Sequence, residues 1–522
     1  MMMVLLLAAP IAAATADTNF SAQDKQYLEQ ENIPLEDYQQ VRVTPEGDIL
    51  YVEPAEPVPA REDGTPYLAP QLPIPVDEVF LQHCNPGATN TLYLDFNGKR
   101  IENSHWNKNA DVHEALPMWQ GIDPTIEELG LIYNIWQRVC DDWAIFDVDV
   151  TTEEPVVYDT TVGVVLITKS LDAEGICIYY CTPGGMAWLN KFGRDDYHEL
   201  WAPALVFCDN VGNCEISSYM GEVSSHEFGH TVGLSHDGII DGASYFQGEG
   251  SVLSKISWAP IMGVGYYRNI TKWDNCTYPE CNNPEEDLDI IAGHLGYAPD
   301  TFDKINNSDD VDSFEFDIPQ PGLLEILVTP TWSQYEEVVL INGRLQRGSN
   351  LDIMAVITDE NMVATYFSEP EDTLAMVSMQ VTPGRYTLSI TGIGNEHSNE
   401  YASHGYYYYE STFTPDAPPP PPPPENELPV SVITYTPADL TYRKGRGLRV
   451  IFDGRDSFDP DGDIVSYRWK RNAQLVSTTS RLSVELREGT YTYNLTVTDN
   501  DGGTDTTYET ITVVRVKGGG KK

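Results

Sequence analysis

The sequence predicts a multidomain chain: an α/β domain with a mixed sheet and one motif-bearing helix, followed by two all-β sandwich modules. Three observations carry that expectation. Strand-like and helix-like segments alternate up to His236, the pattern of an α/β domain. From Asp310 to Phe413 the chain changes to short strands separated by turns, which is how a sandwich reads. An unbroken proline run, Pro418 to Pro424, then separates off a second block of strands. Such a run adopts a stiff, extended polyproline helix and acts as a spacer. A chain of 522 residues has room for all of these.

Met1 to Ala16 is an apolar run ending in Ala14-Thr15-Ala16, which reads as a signal peptide over residues 1–16, although no basic residue precedes it. About a dozen apolar residues are too few to span a bilayer, so a secreted chain with no membrane span is expected. Residues 17–76 are acidic and rich in Pro, Glu and Gln, with little helical or strand periodicity after Tyr38. That composition suits a propeptide that folds only against the domain after it, or an unstructured extension.

The α/β domain is expected over residues 77–300. Thr91 to Phe96 alternates like a strand and ends at the turn signal Asn97-Gly98. Glu127 to Val139 reads as a helix with Leu129, Ile132, Ile135, Trp136 and Val139 along one stripe. Val148 to Val150 and Val164 to Thr168 are rich in β-branched residues, as strands are. Gly184 to Leu189 is a further strand candidate, and Ile216 to Val223 has helical spacing that continues into the motif.

The motif is His226-Glu227-Phe228-Gly229-His230-Thr231-Val232-Gly233-Leu234-Ser235-His236-Asp237. His226 and His230, four apart, project from one helix face. Gly233 permits the sharp turn that brings His236 back as a third ligand. Catalytic zinc takes three protein ligands and keeps one position open for water. Glu227, beside the first histidine, is the carboxylate able to take a proton from that water. The competing reading is an amphipathic core helix with satisfied histidines. Five residue types at fixed spacing make that coincidence improbable.

In this extended motif the sequence resembles the metzincin clan of zinc endopeptidases. The resemblance implies a methionine turn under the metal, which Trp258 to Tyr266 supplies with Met262 between Pro260 and Gly263. Asp237 after the third histidine is similar to the adamalysin (reprolysin) branch, which implies a structural, hydrogen-bonding role. Two residues after Met262, where some metzincins carry tyrosine, stands Val264, with Tyr266 and Tyr267 nearby. In the clan, a strand at the position of Gly184 to Leu189 rims the cleft and binds the substrate backbone by strand addition. An ordinary hairpin strand is the alternative.

Eight cysteines lie between Cys84 and Cys281, an even number in a chain expected to be exported. Proximity suggests Cys177 with Cys181, Cys208 with Cys214 and Cys276 with Cys281, leaving Cys84 with Cys140. The other role open to Cys84 is that of a propeptide thiol on the zinc, known in some metzincin zymogens. Net charge is -49, from 80 acidic and 31 basic side chains. Such a surface repels phosphates, so no nucleic-acid partner is expected. Carboxylate-rich loops invite Ca2+ as an accessory ion, with no ligand set that the sequence assigns.

Residues 301–415 resemble the bacterial pre-peptidase C-terminal domain, with strands expected at Asp310 to Phe316, Gly322 to Val328, Met354 to Ile357 and Gly384 to Ile390. After a proline-rich linker over residues 416–429, residues 430–516 resemble a PKD domain. That resemblance rests on Phe452 to Ile464, Tyr467-Arg468-Trp469 and Tyr493 to Gly503, and implies an immunoglobulin-like sandwich with Trp469 in its core. Lys470-Arg471-Asn472 after Trp469 departs from the family's core motif. Such a module binds insoluble protein or polysaccharide, or separates domains. Asp459, Asp461 and Asp463 are open to calcium or to turn formation alone. Residues 517–522 read as a flexible tail.

These expectations describe a secreted zinc endopeptidase acting on proteins and peptides, with His226, His230 and His236 on zinc and Glu227 as general base. The rival is an extracellular adhesive or matrix-binding protein with an inert zinc domain. An inert domain has no reason to keep Glu227, which is not a ligand.

Overall fold

A computed structural model describes residues 20–55, 72–251, 254–331, 349–416, 426–443 and 447–516. The expected signal peptide, proline run and tail lie outside them. The chain forms two compact units, Met1–Asp416 and Ala417–Lys522.

The first unit is built on a sheet whose strands, in chain order, are β1 (Val41–Val43), β2 (Ile49–Val52), β3 (Asn90–Asp95), β6 (Val148–Thr151), β7 (Val162–Thr168), β8 (Gly185–Trp188) and β9 (Ala204–Phe207). A separate hairpin, β4 (Arg100–Glu102) and β5 (Val112–Glu114), lies between β3 and β6 in the chain. The sheet order is β1-β2-β8-β9-β7-β3-β6. Strands β6, β3, β7 and β9 run parallel and are almost continuously apolar, as strands covered on both faces must be. Strand β8 turns antiparallel to β9, and β2 pairs antiparallel with β8.

Among the described residues, four α-helices accompany the sheet: α1 (Ala22–Gln30), α2 (Ile126–Asp142), α3 (Ser217–Thr231) and α4 (Asp287–Leu295). Helix α2 starts at Thr125, whose hydroxyl accepts from the Glu128 amide at 3.2 Å while the Glu128 carboxylate accepts from the Thr125 amide at 2.8 Å. The expected stripe of Leu129, Ile132, Ile135, Trp136 and Val139 is buried in one core with Phe228 and Leu205. Helix α3 carries the histidine motif and is enclosed nearly all round between α2 and the sheet.

Strands β1 and β2 correct the expectation that little regular structure follows Tyr38. Val41 pairs with Tyr51 and Val43 with Ile49 across a turn in which Gly47 has φ +95°. The hairpin is then continued into the main sheet by β8.

The cysteines are joined as proximity suggested: Cys84–Cys140, Cys177–Cys181, Cys208–Cys214 and Cys276–Cys281. A short parallel pair, β10 (Trp258–Pro260) and β11 (Ile270–Lys272), brackets Met262. Beyond α4 the first unit continues as a sandwich. One sheet orders Lys304–Ile305, Gly405–Pro415, Gly322–Pro330 and Ala375–Val381; the other orders Asp312–Ile318, Gly384–Gly392, Ile353–Asp359 and Ala364–Phe367.

This sandwich shares a buried polar network with the helices. The Asn350 amide donates to Asp141 at 2.7 Å, and its side chain donates to Asp142 at 2.8 Å. The Arg138 guanidinium donates to Glu222 of α3 at 2.8 Å and to the Asn350 side chain at 2.8 Å. Burial pushes the Asp141 carboxyl up to about 7 against the pull of Arg138.

The second unit is also all-β. One sheet orders Thr434–Thr436, Leu448–Asp453 and Arg481–Leu486; the other orders Thr441–Tyr442, Thr504–Arg515, Gly489–Asp499, Ile464–Arg471 and Gln474–Ser477. Trp469 is fully buried among Phe452, Tyr493 and Leu495, with its indole N–H donated to the Thr479 carbonyl at 2.8 Å.

Candidate metal centre

The last turns of α3 carry His226, Glu227 and His230. Gly233, with φ +108°, takes a left-handed conformation open to glycine at little cost, and the Leu234 amide returns to the Gly229 carbonyl at 3.0 Å. The chain therefore doubles back and brings His236 beside the other two. The Nε2 atom of His230 lies 3.1 Å from that of His226 and 3.2 Å from that of His236. Three nitrogens each about 2.1 Å from one tetrahedral centre stand about 3.4 Å apart, so the spacing suits a single small cation.

The ring orientations agree. The Nδ1 of His226 faces the Ile261 carbonyl at 2.8 Å, and that of His230 faces the Leu234 carbonyl at 2.7 Å. A carbonyl only accepts, so each Nδ1 carries the proton and each neutral ring turns an Nε2 lone pair inward. Burial holds the His230 pKa at about 3, which keeps its ring neutral. Burial also acts to lower His236, but the carboxylates of Asp37 and Glu53 on its two nitrogens outweigh it and hold the ring at about 10.

Glu53 belongs to the segment read as a propeptide, and it completes the cluster. Its ligand atom and those of His226, His230 and His236 all lie within 4.8 Å of one another, and all four residues are buried. Lone pairs from neutral imidazoles converging on a carboxylate repel one another unless a cation lies between them. That donor set of three imidazoles and one carboxylate is one that suits zinc.

Glu227 points the other way along the same wall. It is wholly buried, and neither carboxylate oxygen has a hydrogen-bond partner among the described residues. Burial raises its pKa well above the usual carboxylate range, and the charge of Glu53 adds to the rise. Gly185 of β8 makes room for it: a Cβ there would lie 1.9 Å from Glu227 Oε1. Met262 is fully buried, with its Sδ 2.7 Å from where a Cβ on Gly229 would stand, so it lies against the middle of the motif helix. The Asp237 amide donates to the Met262 carbonyl at 2.9 Å, which ties the third histidine to the methionine turn. The Asp237 side chain is buried with Oδ2 unpartnered, and its pKa is raised well above normal by burial and by Asp287 and Asp274.

Four residues here escaped the sequence reading. Asp37 accepts from His236 Nδ1 at 3.1 Å, and Tyr51 donates to Asp37 at 3.0 Å while stacking on His230 with centroids 3.8 Å apart. Tyr245 donates its hydroxyl to Glu53, and its ring lies 4.4 Å from that of His236. Glu53 is the fourth. Cys84 is bonded to Cys140 and has no thiol to offer a metal. A cavity beside His226 is walled by Pro54, Val223, Tyr245, Ile261, Val264 and Tyr266. An all-oxygen group, Asp300, Asp310 and Asp312, also gathers within 4.8 Å, open to solvent at Asp300.

In the second unit, a family model for the PKD domain matches residues 448–513. The chain contains a PKD domain. It is similar there to the PKD1 domain of Vibrio anguillarum Epp, 38% identical over 17% of this chain and 96% of that one, with a TM-score of 0.14. It is also similar to the PKD1 domain of the Vibrio cholerae metalloprotease PrtV, 36% identical over 16% and 96%, TM-score 0.14. A third solved structure, the pre-peptidase C-terminal domain of a Bacillus anthracis collagenase, is 15% identical over 21% of this chain and 87% of that one, TM-score 0.14. No curated protein matches the chain. Around the PKD domain's buried Trp469, the departure at Lys470-Arg471-Asn472 falls at the end of one strand and in a tight turn, where Asn472 has φ +51°. Among the described residues no helix is long and apolar enough to cross a membrane.

Proposed function

We propose that the chain is the precursor of an extracellular zinc endopeptidase that hydrolyses internal peptide bonds. The observation that carries this reading is the convergence of three inward-facing Nε2 atoms beside a buried carboxylate, Glu227, whose two oxygens have no partner among the described residues. A structural metal site has no use for such a carboxylate. His226, His230 and His236 would hold zinc, which supplies a Lewis acid for the scissile carbonyl and acidifies a water.

The rest of the work falls to this chain's own groups. Glu227 takes the proton of the attacking water on one carboxylate oxygen and delivers it to the leaving amine nitrogen. Its raised pKa suits a group that must hold that proton between the two transfers. Strand β8 offers backbone N–H and C=O groups along the cleft, so an extended peptide adds as a further strand. An open-sided cleft of this kind accepts the middle of a chain. The largely apolar walls beside His226 favour an apolar side chain next to the scissile bond. The PKD domain offers a surface for insoluble protein or polysaccharide.

The test is hydrolysis of unfolded casein by the chain freed of residues 17–76, with chelator, with zinc restored, and with sequencing of the fragments. Chelator-sensitive internal cleavage restored by zinc, and abolished in Glu227→Gln with zinc still bound, is the expected result. No cleavage despite one bound zinc would assign the molecule to matrix binding through its β modules.

A further inference from the structure

We propose that Glu53 is the fourth metal ligand of the full-length chain and keeps it latent, with β2 occupying the peptide-binding edge. The proposal rests on the zinc reading above and adds to it the identity of the group that blocks the site. Glu53 Oε1 lies 3.0 Å from His236 Nε2 and 3.5 Å from His230 Nε2, and Oε2 lies 3.6 Å from His226 Nε2. No other carboxylate among the described residues joins this histidine group. A carboxylate oxygen is a good zinc ligand at about 2.0–2.2 Å, and the position it takes is the one a hydrolytic water needs.

The backbone holds Glu53 there from both sides. Its amide donates to the Gly185 carbonyl at 2.9 Å, and its carbonyl accepts from the Gly184 amide at 2.9 Å. Just upstream, Leu50 pairs with Trp188, Tyr51 with Ala187 and Val52 with Met186, antiparallel along β8. A peptide substrate adding to β8 needs the same hydrogen-bonding groups, so β2 and a substrate cannot bind together. Three further contacts brace the arrangement: Tyr245 on the Glu53 carboxylate, Asp37 on His236, and Tyr51 stacked on His230. The same segment thus fills the edge, the metal position and the far nitrogen of the third histidine.

The consequence is a tethered inhibitor. While the chain is intact, Glu53 competes with water and substrate at the high effective concentration of an intramolecular group. Scission downstream of Glu53 turns that contact into a bimolecular one. Release exchanges one carboxylate oxygen for one water oxygen at the metal, without change of oxidation state. The thiol that the sequence offered for this role, Cys84, is committed to its disulfide.

Cobalt(II) in place of zinc tests the proposal, because its visible absorption reports the number and kind of ligands. The full-length chain would carry Glu227→Gln so that it cannot cut itself, and would be compared with the same chain bearing Glu53→Ala or Glu53→Gln. All three are expected to bind one cobalt. The visible bands should change in both Glu53 variants, and acetate should restore the parent bands in Glu53→Ala. Acetohydroxamate should bind Glu53→Ala at least about tenfold more tightly than the parent, because it no longer displaces a tethered ligand. With Glu227 intact, uncut Glu53→Ala should hydrolyse a peptide roughly tenfold or more faster than the uncut parent. Unchanged bands and unchanged hydroxamate affinity with cobalt bound would overturn the Glu53 proposal and leave the zinc reading standing. No metal in any of the three chains would remove both. Should Glu53→Ala not fold, Glu53→Gln, nearly identical in shape, decides by the same bands.

Discussion

Gly185→Ala places one methyl group against the proposed general base. The substitution is mild for the backbone, since Gly185 is in a strand conformation that alanine also adopts. The difficulty is space. A Cβ at this position would stand 1.9 Å from Glu227 Oε1, 2.6 Å from its Cδ and 2.9 Å from its Cγ. An ordinary carbon–oxygen contact is about 3.3 Å, so the oxygen must retreat by about 1.4 Å. Glu227 is fully enclosed and has no free volume to retreat into without moving its neighbours. Overpacking of this kind costs about 1–3 kcal/mol of stability. The larger effect is on chemistry: a misplacement of about 1 Å at a reacting group costs on the order of a hundredfold in rate. In the chain freed of residues 17–76, Gly185→Ala should lower kcat by about a hundredfold, with zinc content unchanged. The assay is a quenched fluorescent peptide, with metal analysis and a melting curve on the same sample. A kcat within twofold of the parent would refute the placement of Glu227 as the proton carrier.

Three further outcomes follow from other parts of the molecule. Arg138→Ala removes the guanidinium from a buried group with Asp141, Asp142 and Glu222, and should destabilise the first unit by about 3–5 kcal/mol, read by denaturant unfolding. Trp469→Ala should cost the PKD domain about 3–5 kcal/mol and lower only one of two calorimetric transitions, since the units have separate cores. For His83, burial opposes the charged ring, but hydrogen bonds to Asp149 and Glu153 outweigh it and raise its pKa from 6.5 to about 9. A raised pKa stabilises the fold fully below the unfolded value and loses that contribution as pH rises through the folded one. The difference in melting temperature between the parent and His83→Gln should therefore be largest near about pH 6 and vanish by about pH 10; a constant difference would contradict it.

The histidine motif was legible because all its parts lie within one helix and one turn, where spacing dictates geometry. The stripe of α2 and the strands of both sandwiches were legible for the same local reason. Glu53 and Asp37 were not, because they meet His236 across 183 and 199 residues of chain. Nothing in a lone glutamate announces such a partner. The hairpin that carries Glu53 did leave a signal: Val41-Arg42-Val43 and Ile49-Leu50-Tyr51-Val52 flank Thr44-Pro45-Glu46-Gly47-Asp48, a turn sequence between alternating residues. An acidic, proline-rich composition obscured it. Helix α3 gave a weak amphipathic pattern because it is buried on nearly every side and has no solvent face to mark with charge.

Asn350 connects the sandwich to the helix ends in a way that bears on how this protein can be shortened or recombined. Asp141 and Asp142 close α2, and the groups that satisfy them stand about two hundred residues later, at Ser349 and Asn350. Trimming the chain after α4 would strand two buried carboxylates and leave Arg138 short of an acceptor. The sandwich is therefore no detachable cassette: a graft of the histidine-bearing body onto another carrier has to bring residues up to Asp416 with it, or replace Asp141 and Asp142 as it goes.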